Sequence, residues 1–153
     1  MSDLKARLRR VEDLLAIQDL ITRYGPAVDA RDRGAVAEIW DAGGEYRFDQ
    51  TTLRGDAVPA LVDIDAHRGF VEHGCGHLLT PPRVRLDGDR ATAVNHSMLV
   101  LRDGSHWRVE RLAANRWEFA RTAAGWRVRS RTNALLDGDP TAPRLFSAAG
   151  DAP

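Results

Sequence analysis

The segment RVRLDGDRATAVNHSMLVL, residues 83–101, decides the fold of this chain. Its first four residues alternate between polar and apolar side chains, residues 87–90 (DGDR) form a turn, and the remainder has the composition of a β-strand. Two more alternating runs follow at residues 107–121 and 126–132, and the turn Ala123-Ala124-Gly125 separates them. The C-terminal half therefore predicts an antiparallel meander.

The N-terminal part has the periodicity of helices instead. Apolar residues recur at helical spacing over residues 4–28, and Pro26 is expected to kink this helix or to separate it from a shorter extension. Asp32 is expected to cap a second short helix that runs through Trp40. This region therefore predicts two consecutive helices ahead of the sheet.

The segment between these helices and the meander predicts one strand and one helix. Residues 45–48 alternate like a strand, residues 57–68 follow as a third helix with Pro59 in its first turn, and residues 69–76 are glycine-rich and irregular. Helices first and a hairpin-rich sheet afterwards predict an α+β fold, with the helices on one face of a curved antiparallel sheet. A pocket between these layers would suit a small apolar ligand.

Length and composition set further limits. The chain has 153 residues, enough for one domain, and 22 basic residues balance 22 acidic ones, which argues against a nucleic-acid surface. Cys75 is the only cysteine, so no intramolecular disulfide can form. The sequence has no apolar signal core and no stretch long enough to span a membrane, so we expect a cytoplasmic protein without a membrane partner. Residues 1–136 are expected to form the domain, and residues 137–153 a C-terminal extension.

Three residues suggest acid–base chemistry: Asp29, His77 and His96. A carboxylate that orients an imidazole makes a general base that works near neutral pH. Each residue also has an ordinary interpretation, because Asp29 could cap a helix, His77 could lie in a loop and His96 could be a core residue of a strand. Local pattern alone leaves these alternatives open.

Three groups of segments resemble SnoaL-like proteins of the nuclear transport factor 2-like superfamily. They are AIQDLITRY (16–24) with VDARD (28–32) and EIW (38–40), GHLLT (76–80) with DGDRA (87–91), and NRW (115–117) with GWRV (125–128). The resemblance spans roughly residues 8–133. It implies a cone-shaped α+β fold in which a curved antiparallel sheet and N-terminal helices enclose a pocket.

Within this superfamily, scytalone dehydratase and hexachlorocyclohexane dehydrochlorinase eliminate a small molecule from a ring substrate with an Asp–His pair. The resemblance places that pair at Asp29 and His77. It further implies that His96 is a second catalytic histidine. Five side chains are the expected substrate-binding residues, namely Tyr24, Phe48, Asn115, Trp117 and Arg121, with Arg116 as an alternative to Arg121.

The resemblance thus implies a cofactor-independent lyase that acts on a small hydrophobic, cyclic molecule. An isomerase or cyclase with the same dyad, and a non-catalytic protein that binds a hydrophobic metabolite, are the alternatives. His67, His73 and His106 are expected on the surface or in loops, and the absence of a compact ligand motif such as His-Glu-x-x-His disfavours a metal. An exposed apolar sheet face predicts a homo-oligomer, either a trimer or a dimer.

Overall fold

The computed structural model describes residues 2–147. Helix α1 covers Ser2–Asp29 and continues through Pro26, so the separate extension considered from the sequence is not seen. Helix α2 covers Arg33–Ile39, and the Asp32 carboxylate caps it by accepting a hydrogen bond of 2.9 Å from the Ala35 N–H. Since the cap of α2 is Asp32, Asp29 is free for another role.

The third predicted helix is divided in the structure. Strands β1 (Trp40–Phe48) and β2 (Thr51–Arg54) come first, followed by helix α3 (Ala57–Ala60) and a 3-10 turn. Ile64 then has extended backbone angles and ends this turn, and helix α4 (Asp65–His73) begins after it. Because α4 reaches His73, part of the stretch expected to be irregular is helical.

Five long or medium strands build the rest of the sheet: β3 (Cys75–Leu79), β4 (Arg83–Asp87), β5 (Arg90–Asp103), β6 (His106–Thr122) and β7 (Gly125–Leu135). The strand order is β2-β1-β7-β6-β5-β3, and β4 pairs with the other half of β5. All pairs are antiparallel except β1 with β7, which is parallel. The predicted meander is confirmed.

The core lies between α1 and one face of the sheet, which we call the inner face. Ile17, Ile21 and Val28 of α1 are fully buried there, together with Trp117 of β6 and Val128 of β7. Full burial of each such side chain contributes about 1.5–3 kcal/mol. Among the described helices, none combines the length and the apolar character that crossing a membrane requires.

A fifth helix, α5 (Thr141–Ser147), packs on the opposite, outer face of the sheet. Ala142 is buried, and the Phe146 ring lies 4.7 Å from the His96 ring between centroids. The beginning of the expected C-terminal extension is therefore helical and covers part of the sheet. Residues 148–153 of that extension lie outside the described residues.

Candidate functional site

A cavity of about 330 Å³ lies between the helices and the inner face of the sheet. Aromatic and aliphatic side chains form most of its wall, among them Tyr24, Tyr46, Phe48, Leu61, Ile64, Phe70, Leu79, Met98 and Leu99. The polar side chains that line it are His67, His77, Ser97, Arg111, Arg131 and Asn133. A mostly apolar wall with a few polar groups is typical of small-molecule sites, whose volumes run from about 300 to 1,000 Å³.

Asp29 and His77 meet at one side of this cavity. Asp29 is the last residue of α1, and His77 is the central residue of β3. The His77 Nδ1 lies 2.6 Å from Asp29 Oδ1, and the His77 backbone N–H also donates to both carboxylate oxygens, at 2.9 and 3.2 Å. One carboxylate therefore fixes both the backbone and the ring of His77.

This geometry determines which ring nitrogen is available. A carboxylate accepts, so Nδ1 of His77 carries the proton and donates it to Asp29. In the neutral ring Nε2 then holds the lone pair, and His77 lines the cavity. The side chains of both residues are partly exposed, at 23% for His77 and 29% for Asp29, so the pair is accessible to a ligand.

The close approach of α1 to β3 depends on Gly25. A Cβ atom on Gly25 would overlap the backbone carbonyl oxygen of His77. Gly25 lies one helical turn before Asp29, so the absence of a side chain there lets this part of α1 touch the strand. The dyad is therefore a consequence of a helix–strand contact that only glycine permits.

Cys75 adds a thiol to this cluster. Its Sγ lies 3.8 Å from Asp29 Oδ1, and burial, followed by the nearby Asp29 charge, raises the pKa of the thiol to about 11. Asp29, Cys75 and His77 together offer three atoms that could hold a metal ion. However, a metal would have to replace the Nδ1–H bond to Asp29 and take a deprotonated thiol, so hydrogen bonding accounts better for this arrangement.

His67 also reaches the cavity, contrary to its expected surface position. It is buried on α4, and its Nε2 lies 2.8 Å from the Val28 carbonyl oxygen, to which it donates. Burial is the main reason that the pKa of His67 is lowered, and the neighbouring His77 lowers it further. Because Nε2 donates to Val28, the lone pair of the neutral His67 ring is on Nδ1.

Arg131 on β7 places a cation in the cavity wall. Its guanidinium lies 4.3–4.7 Å from the ring centroids of Tyr24, Tyr46 and Trp117, and its Nε donates to Asn115 Oδ1 at 2.9 Å. Among the described residues no carboxylate lies within ion-pair distance of it, and its buried Nη1 has no hydrogen-bond partner. A buried donor and charge of this kind can serve a ligand oxygen.

A network of polar side chains from β5, β6 and β7 lies next to Arg131 and forms part of the cavity wall. Asn115 is fully buried and donates to Ser97 Oγ at 2.9 Å, while its oxygen also accepts from Asn133 at 2.9 Å. Asn133 and Ser97 line the cavity. Arg111, a partly exposed lining residue, forms two hydrogen bonds of 2.8 and 2.9 Å with the Asp49 carboxylate, which neutralises its charge.

The expected substrate-binding residues divide into two groups. Tyr24 and Phe48 line the cavity. Asn115 and Trp117 are fully buried beneath it, where the Trp117 indole donates to Asn95 Oδ1 at 2.9 Å, so they support the wall and are not among its lining residues. Their direct contact with a ligand stays a prediction, and the structure places them one layer behind the lining residues.

Two predicted site residues lie elsewhere. His96 is exposed and packs against Phe146 on the outer face, because its neighbours Asn95 and Ser97 take the inward positions of β5. Arg121 binds the Asp13 carboxylate at 2.7 and 2.8 Å and Asp89 at 2.8 Å, near the first half of α1.

Arg116, the alternative to Arg121, pairs with Glu118 on the same strand. It is not among the residues that line the cavity. The cavity arginines are Arg111 and Arg131 instead.

Sequence reasoning missed His67 and Arg131, although each carried a signal. His67 and Phe70 are three residues apart and therefore share one face of a helix, which marks His67 as part of the apolar face toward the cavity. Arg131 and Asn133 alternate along the last strand and therefore share one face of the sheet.

Comparison with known proteins agrees with this architecture. A family model described as a SnoaL-like domain matches residues 9–132. An NTF2-like protein with a cystatin-like fold from Novosphingobium aromaticivorans is 43% identical in sequence, with a TM-score of 0.93 over 95% of this chain and 96% of that one. No curated protein matches the chain in sequence.

More distant structures share the fold. A protein of unknown function from Mycobacterium tuberculosis is 24% identical, with a TM-score of 0.74 over 92% of this chain and 90% of that one. Aln2 from a Streptomyces species is 21% identical, with a TM-score of 0.68 over 88% and 95% of the two chains.

Proposed function

Because the chain belongs to the SnoaL-like domain family of the NTF2-like superfamily, whose members include some dehydratases and isomerases, we propose that it is a lyase that uses Asp29 and His77. The family alone does not choose a reaction, so the proposal rests on the site. The observation that carries it is the 2.6 Å bond between Asp29 and His77 at the wall of an apolar cavity. The proposed substrate is a small hydrophobic ring compound with a carbonyl group.

The proposed reaction begins when His77 Nε2 removes a proton from a carbon beside the carbonyl. The C–H electron pair then forms a C=C bond to the carbonyl carbon, and the π electrons of the carbonyl move to its oxygen, which gives an enolate. Asp29 stabilises the His77 imidazolium that results. Arg131 supports this step because its guanidinium lacks a carboxylate partner among the described residues and could stabilise the enolate oxygen.

The second step expels a leaving group such as hydroxide. With His96 on the outer face, Tyr24 is the proposed proton donor because it lines the cavity. Burial raises the pKa of its hydroxyl above the usual range, which keeps the group protonated until a base as strong as hydroxide leaves. Hydroxide that takes the Tyr24 proton leaves as water. The His77 imidazolium then releases to solvent the proton that it took, and the Tyr24 phenolate takes a proton from solvent, so the site returns to its starting state. If the enolate instead takes a proton at another carbon, the same site is an isomerase.

The first step can be tested without knowledge of the natural substrate. A panel of cyclic ketones and β-hydroxyketones is incubated with the protein in D₂O, and mass spectrometry follows deuterium uptake and loss of water. We expect exchange or elimination with at least one compound, and a loss of about 10²–10⁴-fold in rate for His77→Gln. Asp29→Asn should lose most of the rate as well, while circular dichroism shows an intact fold.

His96→Gln is the matched control, because it removes a histidine that lies outside the cavity. It should keep the wild-type rate. Equal losses for His96→Gln and His77→Gln would refute the dyad. Binding without any exchange would identify a non-catalytic binding protein, and activity that disappears in chelator and returns with zinc would make Asp29, Cys75 and His77 metal ligands. Mass loss distinguishes elimination from isomerisation.

A further inference from the structure

The first part of α1 is exposed and borders the end of β4 only across an open groove, which Leu8, Glu12 and Leu86 help to line. Every residue from 3 to 12 is exposed, and Asp13 is the first residue of α1 in hydrogen bonds to the sheet, through Arg121 and Trp126. Ten residues of helix correspond to about 15 Å. The exposed apolar side chains of this segment are not buried within one copy of the chain, which suggests that another surface covers them.

This segment carries an apolar stripe. Leu4, Leu8, Val11 and Leu15 are separated by four, three and four residues, and they are 69, 56, 50 and 59% exposed. Spacing of four and three in alternation is the seam of a coiled coil, with Leu8 and Leu15 at the a positions and Leu4 and Val11 at the d positions. The inner-face residues of the same helix, such as Ile17 and Ile21, are buried in the core and are separate from this stripe.

The charges beside the stripe favour a second copy of the chain as its partner. In this register Lys5 and Glu12 fall at the e positions, which face each other across an antiparallel pair. Such a pair places Lys5 of each copy opposite Glu12 of the other, so the surface is complementary to itself, as a twofold interface requires. An antiparallel arrangement also keeps the two folded bodies at opposite ends of the helix pair.

We propose that the chain forms a homodimer through antiparallel packing of the Leu4–Leu8–Val11–Leu15 stripes of two α1 helices. This contact is independent of the cavity and of its chemistry. The outer sheet face, with exposed Trp107, Val109 and Leu112, is the alternative interface that the sequence led us to expect, and the experiment below distinguishes the two.

Sedimentation velocity of the full chain from 1 to 100 µM tests the proposal. We expect a dimer that Leu8→Glu weakens by roughly tenfold or more, because the same change occurs twice in the interface. Leu112→Glu on the outer sheet face is the matched control and should leave the dimer unchanged. A monomeric wild-type chain at all concentrations, or dissociation by Leu112→Glu alone, would overturn the proposal.

Charge exchange tests the orientation. Glu12→Lys should weaken the dimer by placing lysine opposite Lys5, and the double variant Lys5→Glu with Glu12→Lys should restore it. Failure of the double variant to restore the dimer would contradict the antiparallel arrangement. All four residues changed in these variants are exposed, so circular dichroism should show an unchanged fold.

Discussion

Replacing Gly25 by alanine would place a methyl group against the backbone of β3. In an otherwise open helix position this replacement stabilises by up to about 1 kcal/mol, because alanine is the better helix former. Here the new Cβ overlaps the His77 carbonyl oxygen, and His77 is fixed by its pairing with Leu99 of β5. Overpacking of a fixed backbone costs about 1–3 kcal/mol, so we expect a net loss of about 1–2 kcal/mol.

Thermal and urea unfolding measure this loss. For a chain of this size we expect the melting temperature to fall by about 2–8 °C. Gly69→Ala on α4 is the control, because nothing lies within 4 Å of its added Cβ, and it should be neutral or slightly stabilising. Since a displacement of β3 by about 1 Å also separates His77 from Asp29, proton exchange should drop by about 10²-fold. A Gly25→Ala protein as stable as Gly69→Ala would refute the close helix–strand contact.

Three further predictions concern buried groups. Since the pKa of His67 is lower in the folded chain, its contribution to stability is complete above about pH 6.5 and is lost as the pH falls below that value. In urea unfolding at pH 7.5 and 5.5, the stability of His67→Gln should therefore depend less on pH than that of the wild type. An equal pH dependence would contradict the burial effect. The raised pKa of Cys75 should make the thiol react with a disulfide reagent at pH 8 on the order of 10²-fold slower than free cysteine, and an equal rate would refute its protection. Trp117→Phe leaves the Asn95 side-chain oxygen without its donor and should lower the free energy of unfolding in urea by about 1–3 kcal/mol. The control Trp107→Phe, at an exposed position, should change it by less than about 0.5 kcal/mol. Similar losses for the two variants would show that the indole hydrogen bond does not stabilise the fold.

The features that sequence predicted well are those with local causes. The cap at Asp32 and the turn at residues 87–90 depend on residues a few positions apart, and both are in the structure. The positions of Asp29 and His77 came from a resemblance that spans most of the chain, and the structure brings them together. These successes required no knowledge of which strand faces which helix.

The placement of His96 on the outer face, away from the cavity, has a physical reason. Residues 95–97 of β5 are three consecutive polar residues, so alternation does not show which of them point inward. In addition, α5 covers part of the outer face, which allows apolar residues on both sides of the strand. Asn95 and Ser97 take the inner positions, and His96 takes the outer one.

Arg121 and Arg131 show a second limit of prediction from sequence. Both are arginines of the C-terminal sheet, and a sequence pattern treats them alike. Arg121 forms an ion pair with Asp13, which lies 108 positions earlier in the chain. The Arg131 guanidinium instead lies against aromatic rings and donates to Asn115, and it has no ion pair among the described residues. Which arginine keeps an uncompensated charge is thus decided by long-range packing, and that packing is not visible in local pattern.

The uncompensated charge of Arg131 bears on why the cavity exists. A buried guanidinium without a carboxylate lowers stability, and an apolar cavity forgoes packing that larger side chains would supply. Both destabilising features occur in the same cavity, which His77 also lines, and the Asp29 carboxylate holds His77 in one tautomer. A chain selected for stability alone would fill the cavity or pair the charge. The coincidence of the three features supports the proposed oxygen-bearing ligand, since such a ligand would fill the space and accept from the free guanidinium N–H.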